Sequence, residues 1–136
     1  MLSTEKKNAI LERVSKIPIV DFMKLQIQSF DEGYCEMKAP KQHGYDGVFE
    51  SFHGGLIMTV ADSAACFAIF TMTGPDVRLT TTDMNIRFMA PCLTGVIAKA
   101  RVLKLGRTLC PVTIDLFDEA GKHVAVAQVT YMLLAG

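Results

Sequence analysis

Between Ser51 and Pro75 the chain carries one Asp, Glu, Lys or Arg, and it is Asp62. Residues 54–72 are otherwise rich in Ala, Met, Ile and Phe, contain no proline, and stand between His53-Gly54-Gly55 and Gly74-Pro75. That pattern predicts a helix. Its apolar residues fall on every face rather than on one stripe, which predicts burial nearly all round, in the concavity of a sheet or at a subunit interface. A carboxylate in such a place is costly unless it is paired, hydrogen-bonded or used in chemistry.

The 136 residues suffice for one domain with a real core and leave little room for a second. Half of them are hydrophobic, which is high for so short a monomer and predicts apolar surface buried between copies of the chain. Fourteen basic and fourteen acidic side chains cancel, so bulk charge favours neither nucleic acid nor an anionic membrane as partner. Cys35, Cys66, Cys92 and Cys110 are widely spaced and form no CxxC pair, as expected of reduced core thiols; no metal site is expected. The first residues lack the apolar core of a secretion signal, and Asp62 interrupts the 54–72 run as a membrane span, so the expected location is cytoplasmic.

Along the chain, residues 3–16 read as a short amphipathic helix with Ile10, Leu11 and Val14 on one side, and Pro18 prevents its continuation. Alternation over 23–30 and 34–39 around the turn Asp31-Glu32-Gly33 predicts two paired strands. Residues 40–53, with Tyr45, Phe49 and Phe52, read as an irregular loop leading to the central helix. After Gly74-Pro75, stretches at about 78–89, 95–105, 108–118 and 122–134 read as an antiparallel meander. The coarse order is α-β-β-α-β-β-β-β. A long apolar helix and a twisted antiparallel sheet satisfy each other's apolar faces if the sheet wraps the helix, which makes this an α+β domain.

Three segments carry a family resemblance: His53-Gly54-Gly55 followed by Asp62, then Thr81-Thr82-Asp83-Met84-Asn85-Ile86-Arg87-Phe88, then Lys104-Leu105-Gly106-Arg107. In this order and spacing the chain resembles the hotdog-fold acyl-CoA thioesterases of the phenylacetic-acid type and the thioesterase-superfamily-member-2-like group, over roughly residues 20–134. The resemblance implies one hotdog domain spanning 1–136, with an N-terminal helical segment (1–19) and a core (20–136) in which a curved antiparallel sheet wraps a long central helix. It implies hydrolysis of an acyl- or aryl-CoA thioester with water, coenzyme A being part of the substrate and no cofactor being needed.

Thioester hydrolysis needs a donor for the developing oxyanion and a nucleophile or base. The free N–H groups at the start of the 54–72 helix supply the first, and Gly54 and Gly55 allow close approach of a substrate. Asp62 supplies the second. Gly54 and Asp62 are eight residues apart, about 12 Å along one helix at ~1.5 Å per residue, so both cannot readily touch one thioester carbon. A composite site follows, with Gly54 from one subunit and Asp62 from another across a two-fold interface. The resemblance implies the same arrangement in a homodimer or homotetramer. It makes Asp62 the nucleophile or general base, the Gly54 N–H the polarising donor, and Thr81 the residue that orients acid or water, with His53 in the catalytic motif. It also implies substrate contacts from Gly55, Phe52 and Asn85, and places Lys104 and Arg107 near the nucleotide of coenzyme A. One family element is absent: an Asn or Gln commonly stands six residues before the motif His, where this chain has Gly47, and Glu50 is the candidate to compensate.

Plainer readings stand beside these. Asp62 could be a satisfied core carboxylate held by Thr59, Ser63 or a strand; His53 could simply fix its loop; Thr81 could be an ordinary strand residue. Lys104 and Arg107 could be solvated turn residues or could grip phosphates. Phe49, Phe52, Met58, Phe88 and Met89 could line an acyl pocket or pack the core. At the level of the whole protein the alternative is a noncatalytic acyl-CoA-binding hotdog domain. A dehydratase lacks its His partner for the helix acid, and a transcription regulator lacks a DNA-reading element.

Overall fold

The computed structural model describes residues 1–134; the last two residues of the expected 1–136 domain lie outside them. The elements are α1 (Thr4–Ser15), α2 (Pro18–Met23), β1 (Gln26–Asp31), β2 (Tyr34–Ala39), a short 3-10 turn (His43–Tyr45), α3 (Gly54–Thr73), β3 (Leu79–Phe88), β4 (Val96–Val102), β5 (Leu109–Asp118) and β6 (His123–Leu133). Ser3 caps α1 by accepting from the Lys6 N–H. Pro18 does end that helix, but it also opens α2, because its fixed φ and missing N–H suit a first helical turn. The helical segment therefore runs to Met23 rather than stopping at residue 19.

All six strands form one antiparallel sheet in the order β1-β2-β4-β5-β6-β3. The expected four-strand meander is thus corrected. Only β4-β5-β6 run as one, while β3 lies at the far edge against β6. The α3 helix sits between β2 and β3 in sequence and carries the chain across the sheet's concave face, which is why its two flanking strands are not neighbours.

The concave face is read off the strand alternation. In β5, Cys110, Val112, Ile114 and Leu116 are buried and face α3, while the residues between them point outward. Opposite them stand small residues: Ala98 pairs with Leu116, Ala100 and Ala127 with Ile114, Ala125 with Leu116. Large side chains beside small ones make a shallow trough, and α3 fills it with its own Ala61, Ala64, Ala65 and Ala68, all fully buried. Each Leu or Ile placed there contributes about 1.5–3 kcal/mol of burial. By length and apolarity α3 could cross a bilayer, yet 61% of its most apolar window is buried within the fold, as befits a core helix.

Burial of α3 is not complete. Gly55, Thr59, Asp62, Ser63 and Cys66 remain partly exposed or exposed, at helical spacings of three and four. They form one open stripe, and it holds the helix's only carboxylate. At the other end Thr71, the one fully buried polar residue among the described residues, donates to the Ala68 carbonyl and accepts from the Gly33 N–H at 2.7 Å. Gly33 has φ +77 in the β1-β2 turn, so a left-handed glycine ties the hairpin to the helix.

Gly95 precedes β4 where a Cβ would lie 2.7 Å from the Ala39 carbonyl oxygen and 3.3 Å from Pro40 Cα. Gly95→Ala should cost about 1–3 kcal/mol through overpacking, read as a lowered midpoint in thermal or denaturant unfolding. Gly44→Ala, where a Cβ meets nothing within 4 Å, should stay within about 0.5 kcal/mol of the parent.

Candidate active site

The Asp62 carboxylate is held from the sheet. Thr81 on β3 donates its hydroxyl to Asp62 Oδ1 at 2.8 Å, and Tyr131 on β6 donates its phenol to the same oxygen at 2.9 Å and to the Asp62 carbonyl at 3.0 Å. Thr81 and Tyr131 are direct partners in the β3-β6 ladder, so their side chains emerge side by side on the helix-facing surface. Among the described residues nothing hydrogen-bonds Oδ2, and that atom is not buried. One carboxylate oxygen is anchored by two hydroxyls and the other is open.

Tyr131 is a site residue the sequence reading missed. Its alternation with Val129 and Ala127 marks it as a core residue of β6, and only the strand order puts it beside Asp62. The available signal was a buried phenol, which needs a hydrogen-bond partner, two positions beyond the last of a run of small apolar side chains. Burial, reinforced by Cys66 and Asp62 alongside, holds its hydroxyl far above the ordinary phenol range, so it stays a neutral donor. Cys66, one turn beyond Asp62, has its thiol pushed up to about 12 by burial and by the Asp62 charge, so it remains protonated at neutral pH.

A β-bulge sets this geometry. Thr81 opposes Tyr131 and Asp83 opposes Thr130, which leaves Thr82 as an extra residue. Beyond the bulge Met84, Ile86 and Phe88 oppose Val129, Ala127 and Ala125 and so face the helix; Asp83, Asn85 and Arg87 face the other way. Uninterrupted alternation from Thr81 would have brought the Asp83 carboxylate to the Asp62 side. The bulge also turns Asn85 outward, opposite exposed Gln128, so within one chain it does not join Asp62.

The start of α3 is a second, separate half-site. His53 caps the helix: its Nδ1 accepts from the Gly55 N–H at 3.0 Å, and its carbonyl accepts from both Leu56 and Ile57. Gly55 is needed for that cap, since a Cβ there would lie 3.0 Å from the imidazole Cε1. Of the first four helical amides, the Gly54 N–H alone lacks a protein acceptor among the described residues. The expected cluster of free amides is therefore a single directed donor, and His53 acts on it by fixing the loop. The Phe88 ring lies over Gly54, 3.1 Å from where a Cβ would stand.

The 45–53 loop is pinned by the Phe52 N–H to the Cys92 carbonyl, the His53 N–H to the Tyr45 carbonyl, and a 5.8 Å packing of the Tyr45 and Phe52 rings. Phe52, Gly54, Ile57, Phe88 and Met89 line an open groove of about 410 Å³. Met58 is in the core, and Phe49 projects from the loop, 87% exposed. Glu50 is exposed with φ +60; its carbonyl accepts from Lys41 Nζ, and its carboxylate has no bond among the described residues. Beside Gly47 a Cβ would meet only ordinary contacts, nearest His53 Cδ2 at 3.6 Å, so the position lacks an amide without being crowded. Lys104 and Arg107 lie exposed in the β4-β5 loop and form no ion pair among the described residues. Among those residues no three His, Cys, Asp or Glu side chains converge as metal ligands would.

The structure thus brings together Asp62, Thr81 and Tyr131, and separately His53, Gly54, Gly55, Phe52 and Phe88. The continuous α3 helix keeps Gly54 and Asp62 about 12 Å apart along its axis, at ~1.5 Å per residue.

Comparison with known proteins places these features in context. Residues 49–125 match the thioesterase superfamily. Acyl-coenzyme A thioesterase 13 of Mus musculus is 30% identical over 136 aligned residues, covering 93% of this chain and 94% of that protein. Its Homo sapiens counterpart is 37% identical over 101 residues, covering 71% and 69%. Among solved structures, the E. coli PaaI protein from the phenylacetic acid degradation operon superposes with a TM-score of 0.89 at 20% identity, over 100% of this chain and 98% of that one. On its sequence, its long α3 helix clasped by a six-stranded antiparallel sheet and these matches, the chain belongs to the thioesterase superfamily and has the hotdog fold.

Proposed function

We propose that this chain is an acyl-CoA thioesterase that hydrolyses an acyl- or aryl-CoA thioester to the free acid and coenzyme A, with water and without a metal or organic cofactor. The observation that carries the proposal is the Asp62 carboxylate, anchored through Oδ1 and open at Oδ2 on the exposed stripe of an otherwise apolar helix. A carboxylate kept only for packing gains nothing from an open oxygen there. The thioesterases named above support the reaction class.

In the proposed reaction Asp62 Oδ2 takes a proton from water as the water oxygen attacks the thioester carbon, or attacks that carbon itself. The carbonyl electrons move onto oxygen and are received by the Gly54 N–H. The oxyanion then collapses and the carbon–sulfur bond breaks; when Asp62 is the base the thiolate takes the proton Asp62 holds, and after direct attack it takes a proton from solvent while water hydrolyses the acyl–Asp62 anhydride to the free acid and the regenerated carboxylate. Thr81 and Tyr131 position Asp62 by holding Oδ1, which aims Oδ2 outward.

The donor and the carboxylate come from different copies. Edge strand β3 supports this: its outer side is unpaired, and Met84 and Phe88 leave apolar surface exposed on it. Pairing β3 with its two-fold mate sets Thr81 of one copy across from the C-terminal half of the other, where Phe88 covers Gly54. The assembly is accordingly a homodimer or a tetramer built from it. Four free thiols support a reducing, cytoplasmic setting.

Thiol release from short, long and aryl acyl-CoA esters tests the activity. The parent should turn over at least one class, and Asp62→Asn should lose that turnover by several orders of magnitude while keeping its thermal midpoint. Saturable acyl-CoA binding with no hydrolysis would instead make the chain a binding module. Tyr131→Phe should lower kcat about tenfold or more, the size of a hydrogen bond to a charged group, with KM little changed. Equal kcat for parent and Tyr131→Phe would remove Tyr131 from the account. In single turnover in labelled water, label in the Asp62 side chain establishes direct attack; where the label is confined to the product acid, hydroxylamine trapping of an acyl–Asp62 anhydride indicates direct attack and its absence indicates a base.

A further inference from the structure

Strand β3 is an edge of the sheet, and beyond its bulge the backbone shows which groups stand unpaired. The Met89 N–H donates to the Val124 carbonyl at 2.8 Å, in step with the β3-β6 register. Successive residues of a strand turn their N–H and C=O to opposite sides. Asp83, Asn85 and Arg87 therefore direct theirs to β6, while Met84, Ile86 and Phe88 turn theirs to the open edge. Among the described residues those three edge positions meet one side chain, Arg87, whose Nη1 donates to the Ile86 carbonyl at 3.2 Å.

The side chains of Asp83, Asn85 and Arg87 stand in a row on the outer face of the sheet, all exposed. Their neighbours on β6 are Thr130, Gln128 and Val126, none of them charged, and neither Asp83 nor Arg87 forms an ion pair among the described residues. Along the strand the row runs acid, amide, base. A second copy related by a two-fold axis runs antiparallel and reverses the row, so the row complements itself when the axis passes at Asn85. Each Asp83 then directly faces an Arg87, the two Asn85 amides face each other, and Met84 and Ile86 exchange backbone hydrogen bonds with their mates. An axis at Asp83 or at Arg87 sets like charges face to face. One at Met84 or Ile86 leaves no carboxylate directly opposite a guanidinium.

The bulge ties this register to the candidate active site. With Asn85 on the axis, Asp83 faces the partner's Arg87, and the two-for-one count of Thr81 and Thr82 sets Thr81 across from the partner's Phe88. Both of those side chains lie on the helix face: Thr81 holds Asp62, and the Phe88 ring lies over Gly54. Moving the axis by one residue slides the partner by two, about 6–7 Å at ~3.3 Å per residue, and shifts its Gly54 relative to Asp62 by that much.

Resting on the two-copy thioesterase reading, we propose that Asp83, Asn85 and Arg87 are positioning residues that set the register of β3 against β3 of a second copy, with Asn85 on the two-fold axis and each Asp83 paired to the partner's Arg87. The row acts on hydrolysis from the outer face, without touching substrate, by fixing where the oxyanion donor of one copy meets the acid of the other.

Asn85→Cys in the full chain reads the register without substrate. Thiols facing each other across a non-hydrogen-bonded pair lie within disulfide range, so mild oxidation should link Asn85→Cys into a covalent dimer. Arg87→Cys, whose mates lie about 13 Å apart along the strands, should stay unlinked, and the parent with its four free cysteines is the control. Charge exchange gives the functional readout. Asp83→Arg and Arg87→Asp alone should each weaken the dimer and lower turnover about tenfold or more. Mixed, they again set a carboxylate opposite a guanidinium at both positions and should recover about half of the parent's turnover or more, half being the heterodimer share under random exchange. The double variant Asp83→Arg/Arg87→Asp should recover it alone. No link in Asn85→Cys, a link in Arg87→Cys, or no recovery in the mixture would overturn the proposal. A linked Asn85→Cys dimer from a parent that hydrolyses no acyl-CoA ester would uphold the register and reject the thioesterase reading. Hydrolysis by a parent whose Asn85→Cys variant does not link would do the reverse.

Discussion

A carboxylate on an apolar core helix is the constraint around which this fold is arranged. Asp62 sits half-buried on the open stripe of that helix, where a carboxylate needs hydrogen-bond partners on its inner side. Two hydroxyls from neighbouring strands meet it, Thr81 at 2.8 Å and Tyr131 at 2.9 Å, and both choose the same oxygen. Their contact fixes the middle of α3 against the β3-β6 edge of the sheet, while Thr71 and Gly33 fix its far end against the β1-β2 turn. Between those two points alanines on the helix and in the strands let backbone approach backbone. Stability and the candidate chemistry thus share one interaction, since the bonds that make the acid tolerable also leave its second oxygen free.

The bulge at Thr82 carries that arrangement into the surface of the molecule. Without it the period of two would place Asp83 and Asn85 on the helix side, next to Asp62. With it Met84, Ile86 and Phe88 take those places, and the edge strand shows an apolar inner row. At the other end of α3's stripe His53 occupies the Gly55 amide and leaves the Gly54 amide unused. Each chain therefore holds an acid without an oxyanion donor within reach and a donor without an acid. Helical rise separates them along α3, and in the proposed function a second copy closes the gap.

Much of this was legible in the residues. The Gly-Gly and Gly-Pro boundaries marked α3 to within a residue, and the alternating strands appeared near their observed places because one face of each is buried. Asp62 stood out for its isolation, and the segment containing Thr81 for its likeness to the thioesterases. Other features were hidden for physical reasons. Local order does not specify strand pairing, so β3 read as the first strand of a meander when it is in fact the edge beside β6. Pro18 looked like a stop because a proline that ends one helix and one that begins the next are identical in sequence. Tyr131 alternates like any core residue, and its role exists only through the register that opposes it to Thr81. Burial nearly all round, as expected for α3, leaves one open stripe, and a helix apolar on all sides gives no sign of which side the sheet leaves uncovered.

Complementation between subunits tests the central claim most directly. Gly54→Pro removes the one first-turn amide without a protein acceptor among the described residues; His53, with φ −59 and ψ 129, already has the backbone a following proline requires, and a thermal melt checks that the Phe88 ring, 3.1 Å from a Cβ at that position, gives way. Mixed with Asp62→Asn and allowed to exchange subunits, each heterodimer would contain one intact site and one doubly damaged site. From two inactive parents, random exchange should restore about a quarter of the original turnover, set by half the dimers being mixed and half their sites intact. Recovery at that level would establish that acid and donor come from different copies. No recovery, with exchange verified by mass, would place both groups of a working site in one chain and contradict the account.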